Sequence, residues 1–146
     1  MKLLGSFILG LGLTLSANAF SKPSTPTDVK GMKLVSPEEA KKLVDAGAQA
    51  IDVRKKLEFA EEHLPGAISI PYKEKSAKKP DFDASKDKFK DKKVPKDKPV
   101  VIYCNGEKCW KSFKASKWLV NKGFTNVNWL RHGIPGWKKA GFATEK

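Results

Sequence analysis

Cysteine is nearly absent. Cys104 and Cys109 are the only two in 146 residues, too few for a scaffold that replaces its core with disulfides. Two cysteines five apart also lack the second pair that a structural zinc site requires. His63 and His132, the only histidines, stand at no ligand-like spacing, and the Cys-x-x-Cys-His pattern of haem attachment does not occur. No metal or cofactor is therefore implied. Arginine is equally scarce: Arg54 and Arg131 are the only two among 29 basic residues. Nucleic-acid readers use arginine for bidentate contacts, so a formal charge of +13 that is almost all lysine points to solubility and to attraction of small anions instead. No nucleic-acid partner is expected. Long apolar runs are missing as well. Nothing beyond the N-terminus approaches the ~20 apolar residues of a spanning helix, which excludes stable membrane insertion.

What is present begins with one short apolar run. Lys2 precedes it, it extends from Leu3 to about Leu15, and Ala17-Asn18-Ala19 supplies a small-x-small cleavage pattern. This reads as a secretory signal peptide over residues 1–19, cleaved after Ala19, and predicts an exported, periplasmic protein. Residues 20–31, rich in Ser, Thr and Pro, read as a flexible tail. The remainder, 32–146, is one domain's worth of chain, and its four tryptophans and six phenylalanines are ample for a single core.

Along that remainder strands and helices alternate. "MKLV" reads as a strand. "SPEEAKKLVDAG" reads as a helix with Ser36 as N-cap, Pro37 in the first turn, Glu39 completing a capping box and Gly47 at its end. "AQAIDV" predicts a buried strand, "KKLEFAEEH" a short helix, and Ile68 to Ile70 another strand. The continuous apolar run "PVVIY" suits a central parallel strand. A helix from about Trp110 to Lys122, the strand "NVNWL" and a closing turn and helix in "GIPGWKKAGF" complete an α/β domain with a mainly parallel sheet flanked by helices. Between Tyr72 and Lys98 lysines alternate with aspartates and apolar residues are few, which reads as a solvated basic insertion with at most one short helix. A docking surface for an acidic protein partner is the alternative reading of the same charge.

"VIYCNGEKCWKSF" carries the chemistry. In parallel sheets ligands bind beyond the carboxyl ends of the strands, and Cys104 falls there, between a strand end and a helix start. A thiol is a nucleophile only as thiolate, which a helix N-terminus or a nearby cation favours. Gly106 frees the turn, whose backbone N–H groups can converge on an anion, and Lys108 and Lys111 add positive charge. The same residues also permit an inert buried cysteine or a structural disulfide.

Several segments together resemble a single rhodanese (sulfurtransferase) domain: "IDVRKKLEFAEEHLPGAISIPY", "VIYC", "KSFKASKWLVNKGF", "TNV" and "GIPGWKKAGF". The resemblance runs in family order from Ser36 to Phe142. It implies a single rhodanese-like α/β domain in which Cys104 carries a persulfide inside an anion-binding loop, here Asn105, Gly106, Glu107, Lys108, Cys109, Trp110 and Lys111. It implies structural support from Asp52, Arg54 and His63 rather than chemistry. Three departures stand out. The loop is extended by two residues before Lys111-Ser112, Lys111 replaces the family's arginine, and Cys109-Trp110 occupies the added part. Rhodanese-fold phosphatases need an arginine six residues after the cysteine, where this chain has Trp110, so that activity is not expected. Trp110 is expected to pack against the sheet. The first reading is a sulfurtransferase or sulfur carrier, with a small sulfur-containing anion such as thiosulfate or polysulfide as donor and a thiol or cyanide as acceptor. A thiol-disulfide redox protein using Cys104 with Cys109 as resolving thiol, or a non-catalytic binding module, are the alternatives.

Overall fold

Five short strands organise the chain, and the computed structural model describes residues 22–146 of it. The expected leader at 1–19 lies outside the described residues. Strand β1 is Lys33–Leu34, helix α1 Pro37–Asp45, β2 Gln49–Asp52, α2 Lys56–Glu61, β3 Ile68–Ser69, β4 Val100–Tyr103, α3 Trp110–Asn121, β5 Val127–Leu130 and α4 Gly133–Lys139. All strand pairs are parallel, in the order β1-β5-β4-β2-β3. The α/β architecture expected from the alternation is the one observed. Helix α1 starts as the capping box requires: the Glu39 N–H donates to Ser36 Oγ at 3.1 Å, and the Ser36 N–H donates to Glu39 Oε2 at 2.9 Å.

Side chains in a strand alternate between faces, and here the alternation divides the core in two. From β4 and beyond, Val100, Ile102 and Cys104 join Val127 and Trp129 of β5 on the face covered by α3. Val101, Tyr103 and Leu130 point to the other face, with Ala40 of α1 and Ile134 and Trp137 of α4. Cys104 therefore continues the period of its strand into the α3 layer. Each fully buried aromatic of this core represents roughly 3–5 kcal/mol against truncation to alanine.

Two expectations need correction. The residues of the 20–31 tail that are described, Lys22 to Gly31, are not loose. Thr25 is buried, its N–H and hydroxyl both donate to the Glu107 carbonyl at 2.8 and 2.7 Å, and Arg131 Nη2 donates to the Thr25 carbonyl at 2.8 Å. Backbone pairing and one guanidinium hold a segment with too little apolar surface to reveal itself.

The 72–98 stretch is exposed over most of its length but is anchored to the core. Tyr72, Phe89 and Val94 are buried in the α3-side core, and Trp118 meets Tyr72 and Phe89 edge-on at 6.2 Å. In place of one short helix there are two 3-10 turns, Ala84–Lys86 and Asp91–Lys93. Its buried polar groups are paired. Asp87 accepts from the Tyr72 hydroxyl at 2.7 Å, the Ser76 hydroxyl at 2.6 Å, and the N–H groups of Lys75 and Ser76 at 2.7 and 2.8 Å. Lys114 of α3, fully buried, donates to Ser76 Oγ at 2.8 Å and lies 2.9 Å from Glu74 Oε2. Composition hides this because the burial rests on a few spaced residues.

Burial pushes the Asp87 carboxyl up, but the donors from Ser76, Lys75 and Tyr72 outweigh it, leaving Asp87 below its ordinary value. A carboxylate depressed in the fold contributes stability above its unfolded value near ~3.9 and loses it as pH falls through the folded value. Asp87→Ala should cost about 3 kcal/mol in urea unfolding at neutral pH, because four donors lose their acceptor. The variant's stability should also fall less steeply than the parent's below pH ~4. Unchanged stability at neutral pH would refute the structural role of this network.

Candidate active site

The geometry at Cys104 follows from the strand period. Its sulfur enters the α3 layer at the first turn of that helix and is fully buried. There the Ser112 N–H donates to Cys104 Sγ at 3.3 Å, and Ser112 Oγ lies 3.0 Å from the same sulfur. The Trp129 indole N–H donates to Ser112 Oγ at 2.9 Å. With one lone pair of Ser112 Oγ so engaged, the hydroxyl proton is free to turn toward the sulfur. Two donors then face Cys104 Sγ beside the unsatisfied N–H groups that begin every helix. The Cys109 carbonyl oxygen is also 3.3 Å from the sulfur, so these donors are what can favour negative charge there.

The loop is closed by a disulfide between Cys104 and Cys109, whose Cα atoms are 6.3 Å apart, inside the range such a bond requires. Cys109 is the N-cap residue of α3, and its N–H donates to the Gly106 carbonyl at 3.0 Å. Cys104 is fully buried, whereas Cys109 is partly exposed. Two glycines make the turn possible. Gly106 has φ +118°, and a Cβ on Gly133 (φ +60°) would collide with the Cys104 carbonyl. The close approach at Gly133 lets the Ile134 N–H donate to the Cys104 carbonyl at 3.0 Å.

The remaining expected site residues divide into three groups. Lys108 and Lys111 line a cleft of about 600 Å³ together with Cys109 and Trp110. Trp110 itself is buried, stands edge-on to Phe113 of its own helix at 5.4 Å and donates from its indole to the Pro23 carbonyl at 2.8 Å. Glu107 turns to Arg131 Nη1 at 3.4 Å and His132 Nδ1 at 3.0 Å.

Asp52, Arg54 and Asn105 form a brace. Arg54 Nε donates to both Asp52 oxygens at 3.1 and 3.0 Å, and Nη2 donates to Asp52 Oδ2 at 2.7 Å and to the α2 carbonyl of Glu58 at 3.3 Å. Asn105 Nδ2 donates to Glu58 Oε1 at 2.7 Å. Burial pulls the Arg54 guanidinium down, and Asp52 more than reverses it, so Arg54 stays charged. Burial raises the Glu58 carboxyl, but Asn105, the Lys55 N–H and Arg54 lower it overall.

His63 lies apart, at the junction of α2 with the C-terminus. Its Nδ1–H donates to the Phe59 carbonyl at 2.8 Å, its ring stacks on Phe59 at 3.9 Å, and its backbone pairs with Glu145.

Sequence reasoning left Ser112, Trp129, Glu58, Arg131 and Gly133 out of the site. The alternation in "VNWL" was a usable signal for Trp129, since it sets that side chain on the face of Ile102 and Cys104. Arg131 and Gly133 gave none, because only the fold brings the β5–α4 joint under the Cys104 loop.

The sequence model of the family described as "Rhodanese-like domain" matches residues 36–140. The chain is 30% identical over 130 residues to "Protein HIGH ARSENIC CONTENT 1, mitochondrial" of Arabidopsis thaliana, covering 86% of this chain and 72% of that protein. It is 32% identical over 115 residues to "Thiosulfate sulfurtransferase 16, chloroplastic" of the same plant, covering 76% and 91%. It is also 30% identical over 127 residues to "tRNA uridine(34) hydroxylase" of Streptococcus uberis, covering 87% of this chain but spanning only 36% of the hydroxylase. Among solved structures, the BH2092 protein of Bacillus halodurans superposes with a TM-score of 0.58 at 24% identity, over 77% of this chain and 76% of that one, a likeness of fold.

The hydrogen-bond chain from Trp129 through Ser112 makes a measurable claim. In reduced protein carrying Cys109→Ser, the pH midpoint for alkylation of Cys104 should rise by about one unit in Ser112→Ala, a ~10-fold slower reaction at pH well below both midpoints. Trp129→Phe, which keeps the ring and removes the donor, should move the midpoint the same way by less. If neither variant moves it, the Ser112 hydroxyl does not hold charge on the sulfur.

Proposed function

Because the chain belongs to the rhodanese-like domain family, we propose that it is a sulfurtransferase or sulfur carrier in which Cys104 takes up a sulfane sulfur as a persulfide. The observation that carries this reading is the pair of Ser112 donors, N–H at 3.3 Å and Oγ at 3.0 Å, aimed at a sulfur on the carboxyl end of the central strand. Donors that stabilise a thiolate there would equally stabilise the terminal anion of a persulfide. With thiosulfate as donor, Cys104 thiolate attacks the sulfane sulfur, the sulfur–sulfur bond of the donor breaks, and sulfite leaves with the electron pair. A thiol or cyanide then takes the outer sulfur and regenerates the thiolate. Lys108 and Lys111 at the cleft supply the attraction for the anion. The thiosulfate sulfurtransferase likeness supports this class of reaction. A phosphatase reading finds no support, since Trp110, buried and bonded to Pro23, stands where a clamping arginine would be needed.

A second reading is favoured by the Cys104–Cys109 disulfide. Cys109 can attack the inner sulfur of a Cys104 persulfide, forming the disulfide and expelling sulfide. The two cysteines then cycle between dithiol and disulfide, and the outcome of each cycle is reductive release of sulfide. Such a cycle suits an oxidising compartment. The leader-like residues 1–19 support export to the periplasm as part of this proposal.

Intact-mass analysis of reduced protein after incubation with thiosulfate or polysulfide tests both readings. Cys104→Ser should gain no sulfur. Cys109→Ser should gain one sulfur atom and keep it longer than the parent, because its resolving thiol is gone. Loading on Cys104→Ser with none on Cys109→Ser would reverse the roles.

A further inference from the structure

The two sulfurs of the disulfide are not equivalent to an incoming reductant. Cys104 is fully buried behind α3, while Cys109 is partly exposed and lines the cleft. While the disulfide is closed, a thiolate arriving from solvent can therefore meet only Cys109 Sγ. Cys104 is also the better leaving group, because Ser112 N–H and Oγ at 3.3 and 3.0 Å receive the charge that develops on it. Access and leaving-group stability select the same bond polarity.

The rim around Cys109 has a chemical character of its own. Lys22, Lys55, Lys78, Lys108 and Lys111 converge on the cleft from four separate segments. None of them is in an ion pair among the described residues. The two acidic residues of the cleft are already engaged, Glu58 by Asn105 and Glu74 by Lys114. On the same rim Leu57 is 79% exposed, the most exposed large apolar side chain among the described residues. A small dianion needs few of these lysines and has no use for Leu57. An apolar anchor inside a ring of unpaired positive charge is complementary to a protein surface with an apolar residue set among carboxylates.

We propose that this rim is the docking face for an acidic dithiol protein that reduces the Cys104–Cys109 disulfide through Cys109. The proposal rests on the cycling reading above, in which the disulfide forms during turnover. In the first step a partner thiolate attacks Cys109 Sγ. A partner–Cys109 disulfide forms, the Cys104–Cys109 bond breaks, and Cys104 leaves as thiolate. In the second step the other partner thiol, deprotonated, attacks the partner's own sulfur in the mixed disulfide. The partner disulfide forms, and Cys109 leaves as thiolate and takes up a proton. Two electrons pass from the partner dithiol to the chain, and Cys104 is again ready to load.

Two synthetic peptides with the same Cys-x-x-Cys core, one flanked by an apolar residue and glutamates and the other by the same apolar residue and lysines, serve as probes on the oxidised full chain. Dithiothreitol is the reductant that cannot dock. The acidic peptide should reduce the disulfide at least ~10-fold faster than the basic one at low ionic strength, and the advantage should collapse near 1 M salt, where charges are screened over ~3 Å. Leu57→Ser should slow the acidic peptide several-fold and leave the dithiothreitol rate unchanged. A single-cysteine version of the acidic peptide should be trapped on Cys109, with Cys104 free to alkylate. Equal rates for the two peptides, or an adduct on Cys104, would overturn the proposal. Sulfur loading of the reduced chain from thiosulfate, measured by mass on the same preparations, fails or succeeds independently of peptide selectivity. Loss of loading with selectivity intact would strike the sulfurtransferase reading and leave the docking face standing.

Discussion

The hydrogen bond from the Trp129 indole to Ser112 Oγ, 2.9 Å long, is the contact on which the chemistry proposed for Cys104 depends. A serine hydroxyl rotates freely, and near a sulfur it can present either a proton or a lone pair. The indole narrows that freedom, because a donor-only group occupies one of the two oxygen lone pairs. Trp129 is held in turn by β5, whose register against β4 pairs Ile102 with Trp129, and by the ring of Phe113 at 5.6 Å. The sheet thus leaves the hydroxyl proton available to the sulfur. An apolar residue in place of Trp129 could fill the same volume and still leave the hydroxyl undirected.

The walls of the cleft are built on the same plan, with buried polar pairs in place of regular structure. Lys114 sits one turn beyond Trp110 on α3 and reaches Ser76 and Glu74, and Asp87 gathers four donors from the same stretch. A buried ion pair is weak evidence for stability, since desolvation offsets much of its attraction. It does specify position, because few other placements of the 74–87 segment would satisfy a fully buried ammonium. On the opposite side Arg131 and Thr25 hold the N-terminal segment against the Glu107 carbonyl. Both walls are set by backbone and carboxylate acceptors, so the cleft keeps its shape without a large apolar interface.

What could be read in the sequence follows from which forces leave a periodic trace. The capping box at Ser36 and Glu39, the apolar run of β4 and the alternation of β5 are local patterns, and their elements lie within a residue or two of expectation. Cys104 was legible for the same reason, as the residue that follows a buried parallel strand. The 72–98 stretch was misread because its order rests on contacts at long range: Tyr72 with Asp87, and Ser76 with Lys114 thirty-eight residues later. Alternating lysine and aspartate looks the same whether the charges are solvated or a few of them are buried and paired. Ser112 was visible as a helix-start serine, but its role is set by Trp129 from another strand, and no spacing rule connects them.

The disulfide links these observations through an asymmetry of burial. A symmetric, fully exposed pair could be opened at either sulfur, and the charge would fall on whichever was left. Here the strand period buries Cys104 among apolar side chains, while the N-cap position of α3 brings Cys109 to the cleft wall. Burying a sulfur in apolar surroundings by itself disfavours the thiolate, so burial alone would make Cys104 inert. The two Ser112 donors offset that cost, and they do so only at the buried sulfur. The fold therefore separates two properties that a single exposed cysteine would combine: solvent meets Cys109, while charge is accommodated on Cys104. Cys109, five residues along the loop and with its Cα 6.3 Å from that of Cys104, supplies the second sulfur that this division requires.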